Sequence, residues 1–279
     1  MATSHSSNVN PPGAILPSDP PRHVEETVRE AGHVEVCDHR LYWELHGPAQ
    51  GPLLVLLHHG LGSIRSWRKQ LPFFTARGWQ TLAFDRWGYG RSDARPVFEA
   101  DFMQQDAEEA LELLRLLGVK RASFLGHSDG GTISLMLAAK HPRLVERLVL
   151  IAAHIYWEPK TVASIRKIRS ASEDPVMVKA WQREHGEKGL ALVNGWADGW
   201  LQEQMGALNL MSELARIPCP VLVIQGEQDE YATIAQAHDL AEGISSADLW
   251  LIPGAGHMPT LEMPEAFNEK VLSFLSNSV

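Results

Sequence analysis

Ser128 stands between two glycines in Gly126-His127-Ser128-Asp129-Gly130, where an apolar run ending at Leu125 meets an apolar-periodic stretch that reaches Lys140. Small residues on either side let neighbouring backbone pass close to a sharp turn while the serine is held outward. A hydroxyl presented in this way is a candidate nucleophile. At neutral pH it is weak, and it needs a histidine base that is itself oriented by a carboxylate. Two later residues are spaced for those parts. Asp229 follows the strand-like run Val221 to Ile224 through Gln225-Gly226-Glu227-Gln228, and His257 follows Asp248 to Ile252 through Pro253-Gly254-Ala255-Gly256. All three fall just beyond predicted strand ends, on the side where open α/β sheets hold ligands. Glu227, Glu230 and Asp248 are rival carboxylates.

The elements that must carry these residues alternate. Val34 to Cys37 and Leu41 to Leu45, separated by the turn-prone Asp38-His39-Arg40, predict an antiparallel hairpin at a sheet edge. Leu53 to Leu57 is an unbroken aliphatic run, as expected of a strand covered on both faces. A helix is predicted over Trp67 to Arg77 and a strand over Thr81 to Phe84. An amphipathic helix follows over Asp101 to Leu117, ended by Gly118. Strand (Ala122 to Leu125), helix (Gly130 to Lys140) and strand (Leu148 to Ala152) then make a βαβ unit of a parallel sheet. Residues 154–214 interrupt the alternation with helix-like sequence rich in tryptophan and read as a helical insertion. A helix over Thr233 to Glu242 and a last one over Glu262 to Leu275 complete the pattern.

The order Ser, Asp, His behind such a turn resembles the α/β-hydrolase family. Four motifs carry the resemblance: His59-Gly60-Leu61-Gly62 after a buried strand, Asp85-Arg86-Trp87-Gly88-Tyr89-Gly90-Arg91-Ser92, the serine turn, and Gly256-His257 before the last helix. It spans essentially Val34 to Leu275. It implies a mostly parallel eight-stranded sheet flanked by helices, with residues 22–153 and 215–279 as the core, residues 154–214 as a helical cap, and residues 1–21 as a disordered leader. The catalytic set it implies is Ser128, Asp229 and His257, with Asp229 preferred because Gly226-x-x-Asp229 matches the family's acid loop. The backbone N–H groups of Leu61 and Asp129 would form the oxyanion hole. The implied reaction is hydrolysis of a small carboxylic ester, amide or lactone through an acyl-enzyme, with no cofactor and no metal. His58 is expected to be a satisfied structural histidine, and the Asp85 to Ser92 stretch a structural loop near the pocket entrance.

Gly-x-Ser-Asp-Gly-Gly is similar to the turn of the valacyclovir hydrolase (biphenyl hydrolase-like) branch, as is the stretch Asn194-Gly195-Trp196-Ala197-Asp198-Gly199-Trp200, although His127 stands where that branch commonly has tryptophan. In that branch the matching aspartate recognises the amine of an α-amino acid ester, so Asp129 is a candidate ammonium site. Its other reading is an acid in the first turn of a helix, favoured there by the helix dipole. Trp157, Trp181, Trp196, Trp200, Met205 and Met211 are candidates for an apolar pocket wall, with Trp196 and Trp200 as substrate contacts and Asp198 as a second acidic contact. A carbon–carbon bond hydrolase, a perhydrolase or haloperoxidase-like enzyme, and a ligand receptor on the same fold are the alternatives.

Composition narrows the partners. A formal charge of −9 with no lysine or arginine cluster speaks against nucleic acid or an anionic membrane. No apolar run approaches the roughly 20 residues of a membrane helix, and residues 1–21 lack the basic start and apolar core of a signal peptide. Two distant cysteines, Cys37 and Cys219, predict neither a disulfide framework nor a zinc site and suit a reducing, cytoplasmic setting. The expected partner is a small-molecule ester substrate.

Overall fold

The computed structural model describes residues 28–277; the predicted leader lies outside the described residues. Eight strands form one sheet: β1 (Val28–Val36), β2 (His39–His46), β3 (Leu53–Leu57), β4 (Gln80–Asp85), β5 (Ala122–His127), β6 (Val145–Ile151), β7 (Val221–Gly226) and β8 (Ala247–Ile252). Their spatial order is β1-β2-β4-β3-β5-β6-β7-β8. The first two pair antiparallel at one edge and β3 to β8 run parallel, as the hairpin and the βαβ pattern predict.

Period-two alternation divides the core into two layers. Val55 and Leu57 of β3 belong to one cluster and Leu54 and Leu56 to the other. The first cluster packs under α2 (Phe102–Leu116), α3 (Asp129–Lys140) and α7 (Ile234–Gly243). The second packs under α1 (Leu71–Thr75) and α9 (Pro264–Ser276). The helix α3 is buried over all but its last residue, which is why its sequence shows little polar face. It runs through the middle of its layer with Ser128 at its head.

One predicted helix is broken at a proline. The stretch predicted as Trp67 to Arg77 is a 3-10 turn, Ile64–Trp67, followed by α1, and Pro72 sits in the first turn of the new helix. The last helix, predicted from Glu262 to Leu275, is observed as α9, opened by Pro264 and preceded across Met263 (φ −142°) by the short α8 (Pro259–Glu262). Proline has no N–H to give to the preceding turn, so it starts a helix more readily than it continues one.

Between β6 and β7 the chain forms α4 (Pro159–Ser170), α5 (Pro175–His185) and α6 (Gly189–Trp200) with intervening 3-10 turns. The two ends of this excursion meet. Leu210 N–H donates to the Ile155 carbonyl at 2.7 Å and Trp157 N–H to that of Leu208 at 3.2 Å, and Tyr156 and Asn209 form a short antiparallel bridge. Met177, Trp181 and Val193 make a small core of its own, onto which Leu61 packs from below. Among the described residues no helix is long and apolar enough to cross a membrane.

Candidate active site

Ser128 directly follows β5 and caps α3 with φ 54° and ψ −120°, a conformation costly for any residue with a side chain. The turn holds because its glycines leave room. A Cβ on Gly126 would lie 2.4 Å from the Gly130 carbonyl oxygen, and one on Gly130 would lie 2.2 Å from that of Leu57. The Ser128 N–H donates to Ile151 O at 2.7 Å, so the neighbouring strand β6 also fixes the turn.

The other two predicted residues are joined. His257 Nδ1 lies 2.8 Å from Asp229 Oδ2, and both side chains are buried. Asp229 is held from all sides. Its Oδ2 also accepts from Gln225 Nε2 at 2.6 Å, and its Oδ1 accepts from the N–H groups of Tyr231 and Ala232 at 2.7 and 3.1 Å. Burial alone would raise this carboxyl, but the His257 charge and these hydrogen bonds outweigh it and bring the pKa down to about 2. Burial likewise disfavours a charged His257, and the Asp229 carboxylate more than compensates, holding the imidazole above its usual value. Ser128 and His257 face one cavity without being hydrogen-bonded to each other; such contacts often tighten only with substrate in place. The rival Glu230 bonds the backbone of His257, not its ring: its Oε2 accepts from the His257 N–H at 3.3 Å, and its charge adds less than that of Asp229 to the raised imidazole pKa.

The cavity has a volume of about 150 Å3 and lies between the strand ends and the three helices of the excursion. Space of that size takes a group about as large as a benzene ring. Thr161, Ile165, Met177, Trp181, Trp196 and Trp200 make its upper wall, while His59, Leu61, Asp129, His154 and Tyr231 surround Ser128 and His257 below. Of the predicted aromatic and sulfur candidates, Trp181, Trp196 and Trp200 therefore line it and three do not. Trp157 and Met211 are exposed and Met205 packs into the core. Asp198 is also elsewhere, in an exposed ion pair with Arg169 at 2.7 Å. Helical periodicity places residues on a face but does not say which neighbour that face meets.

Leu61 and Asp129 both border the cavity. Asp129 is the first residue of α3, so its N–H has no helical partner. Among the described residues no acceptor takes the Leu61 N–H. The Asp129 carboxylate is buried, with Oδ2 accepting from Trp196 Nε1 at 2.7 Å and Oδ1 without a hydrogen-bond partner. Burial raises its pKa against the opposing pull of Arg86 and of the Trp196 and Trp200 indoles, both of which point their N–H at the carboxylate region. Gly60 is what allows Trp196 this position, since a Cβ there would come within 2.5 Å of the indole ring. Gly60→Ala is expected to push Trp196 off Asp129, lowering stability by about 1–3 kcal/mol and changing the tryptophan fluorescence; a thermal melt and an emission spectrum check it.

Four further histidines crowd the site. Burial is the main cause in each case, and it pushes His127 down to about 3, His154 to about 4, and His58 and His59 well below the ordinary value, so all four are neutral. His58 is satisfied as expected: it gives Nδ1–H to His59 O at 2.8 Å and accepts the Arg86 N–H at 3.1 Å. His127 Nε2 donates to the His257 carbonyl at 2.8 Å, tying the serine turn to the loop of the base. His154, which lines the cavity, belongs to none of the sequence motifs. Its place three residues beyond the carboxyl end of β6 was the available signal. Among the described residues no three His, Cys, Asp or Glu side chains converge to hold a metal ion.

A family model described as alpha/beta hydrolase fold matches residues 52–264. Serine hydrolase BPHL of Homo sapiens is 30% identical, the alignment covering 95% of this chain and 92% of that protein. RutD of Variovorax paradoxus (strain S110), by name a provisional carbamate hydrolase, is 29% identical over 85% of this chain and 96% of its own. A crystal structure of a hydrolase from Pseudomonas aeruginosa PA01 superposes with a TM-score of 0.72 at 28% identity, covering 89% of this chain and 99% of that one.

Proposed function

The chain belongs to the α/β-hydrolase family, and from that premise we propose that it is a serine hydrolase that cleaves small carboxylic esters through an acyl-enzyme. The observation that carries the reading is the His257–Asp229 pair, at 2.8 Å, on the wall of the cavity into which the Ser128 turn faces. Ser128 Oγ attacks the carbonyl carbon while His257 Nε2 takes its proton. The N–H groups of Leu61 and Asp129 receive the oxyanion, and His257 then protonates the leaving alcohol. Water repeats the sequence on the acyl-enzyme and frees the acid. Residues 154–214 act as the cap, and the cavity they cover accepts a small acyl group. The two cysteines, one exposed and one buried, are both free, which accords with a reducing, cytoplasmic setting.

The substrate class follows from Asp129. Its Oδ1 lacks a partner beside the reacting carbonyl, so an α-ammonium group on the acyl part is favoured, and an anionic acyl group is disfavoured. An amino acid ester is expected to react roughly 10–100 times faster than its des-amino analogue, the value of a charge-assisted hydrogen bond. Asp129→Asn should remove most of that preference; a wild type indifferent to the amine would exclude the ammonium role.

The likeness to RutD over most of both chains supports carbamates as a second substrate class, because their carbonyl is open to the same attack. A fluorophosphonate probe tests the nucleophile, with one adduct expected on Ser128 by peptide mass. A panel of aminoacyl esters, simple esters, carbamates and dienoates then separates the readings. Turnover of dienoates alone would point to carbon–carbon bond cleavage, and binding without turnover to a receptor. Added peroxide tests for perhydrolysis.

A further inference from the structure

The loop Asp85 to Ser92, expected to be structural, sends one side chain underneath the site. Arg86 is 1% exposed, and its guanidinium lies beside both segments that carry the proposed oxyanion donors. Nη2 donates to the His59 carbonyl at 3.2 Å and lies 3.8 Å from Asp129 Oδ2. Nη1 donates to Asp106 Oδ2 at 2.5 Å, and Arg95 Nη1 donates to Asp106 Oδ1 at 2.6 Å. The Tyr89 ring lies against the guanidinium, 4.4 Å from centroid to Cζ.

The His59 carbonyl is the point from which the Leu61 loop is held. It receives three donors: His58 Nδ1 at 2.8 Å, Gly62 N at 3.0 Å and Arg86 Nη2. The contacts then close a ring. Gly60 abuts the Trp196 indole, that indole donates to Asp129, and Asp129 faces Arg86. Charge supports the same arrangement. Asp106 takes one oxygen to each arginine, which leaves one positive charge of the pair unneutralised; Asp129 faces Arg86 at 3.8 Å, while burial and the Asp106 charge push the neighbouring Glu109 carboxyl up to about 8, so it is mostly protonated at neutral pH. Two cations and two anions buried together balance, whereas any one of them alone would be costly.

We propose that Arg86 is a positioning residue that sets the oxyanion hole, bracing the loop of Leu61 and the head of α3 at Asp129 against a base formed by Asp106 and Arg95. It touches no reacting atom. The proposal rests on the oxyanion-hole reading given above. An oxyanion hole works because its donors are fixed before charge develops, so a loosened brace weakens transition-state binding more than substrate binding.

The test uses the full chain, a nitrophenyl ester and an aryl boronic acid, which forms a tetrahedral adduct on the serine. Arg86→Lys keeps the buried charge but cannot reach His59 and Asp106 together. It should fold, lower kcat by about 10- to 100-fold with KM within about threefold, and weaken boronate binding by the same factor as kcat. Arg86→Met should lose at least as much, and should also lose discrimination between amino acid ester and des-amino ester. A folded Arg86→Lys that melts lower yet keeps kcat and boronate affinity would overturn the proposal, because a purely structural brace affects only the melt. Wild type that neither turns over ester nor binds boronate would instead overturn the site reading, and the brace with it. Should neither Arg86 variant fold, Asp106→Asn retains Arg86, removes its anchoring charge, and is read by the same two outcomes.

Discussion

Ser128→Ala is expected to lower kcat/KM for a short-chain nitrophenyl ester by about 10^4 to 10^6-fold while leaving the fold intact. The magnitude is that of removing a nucleophile from a unit whose members act together, with the residual rate coming from the oxyanion donors and binding. Stability should separate from activity at this position. At φ 54° and ψ −120° every residue with a Cβ is strained, so Ser128→Ala should melt close to wild type and Ser128→Gly should gain about 1 kcal/mol. Calorimetry beside the ester assay checks both. Nitrophenol release by Ser128→Ala at the wild-type rate would move the chemistry to another residue.

Asp229→Asn is expected to cost about 10^4-fold in kcat and also to move the pH profile. In the wild type, the Asp229 carboxylate holds the His257 imidazole above its usual pKa against the effect of burial. The base must be neutral to take the serine proton, so activity should fall as the pH drops through that raised value. Without the carboxylate charge, burial prevails, the imidazole gives up its proton more readily, and the acid limb should shift to lower pH. Asp229 itself, at about 2, stays ionised over this range and contributes no second limb. A kcat/KM profile from pH 4 to 9 for both proteins decides it. An acid limb that stays in place in the variant would mean that the limb reports some other group.

The parts of the site that were legible in the sequence are those set by near neighbours. Gly126, Ser128 and Gly130 lie within five residues, and the turn they form depends on steric room alone. Asp229 and His257 were found because each follows a short aliphatic run, and such runs end at the same edge of a parallel sheet. Where the reading failed, a longer-range choice was involved. Trp157 and Met211 share the helical insertion with Trp181 and Trp200, yet the first two face solvent and the second two the cavity. Arg86 was placed in a loop, but its partner Asp106 lies 20 residues later on α2, and its contact with Asp129 crosses to α3. The helix break at Pro72 had a local signal that apolar periodicity overrode.

By itself, then, the sequence determined the alternation of strands and helices, the class of fold, and the identity and order of a candidate nucleophile, acid and base. These depend on periodicity, turn chemistry and strand-end position, all of which act over a few residues. Only the tertiary structure decided what those residues touch: that Asp129 gives one oxygen to Trp196 and faces Arg86, that three neutral histidines, His59, His127 and His154, crowd the base, and that the cavity is about 150 Å3. The physical reason is closure. A buried polar atom takes whatever partner the packing of distant elements brings within about 3 Å, and that packing is a property of the whole core and not of any one segment of it.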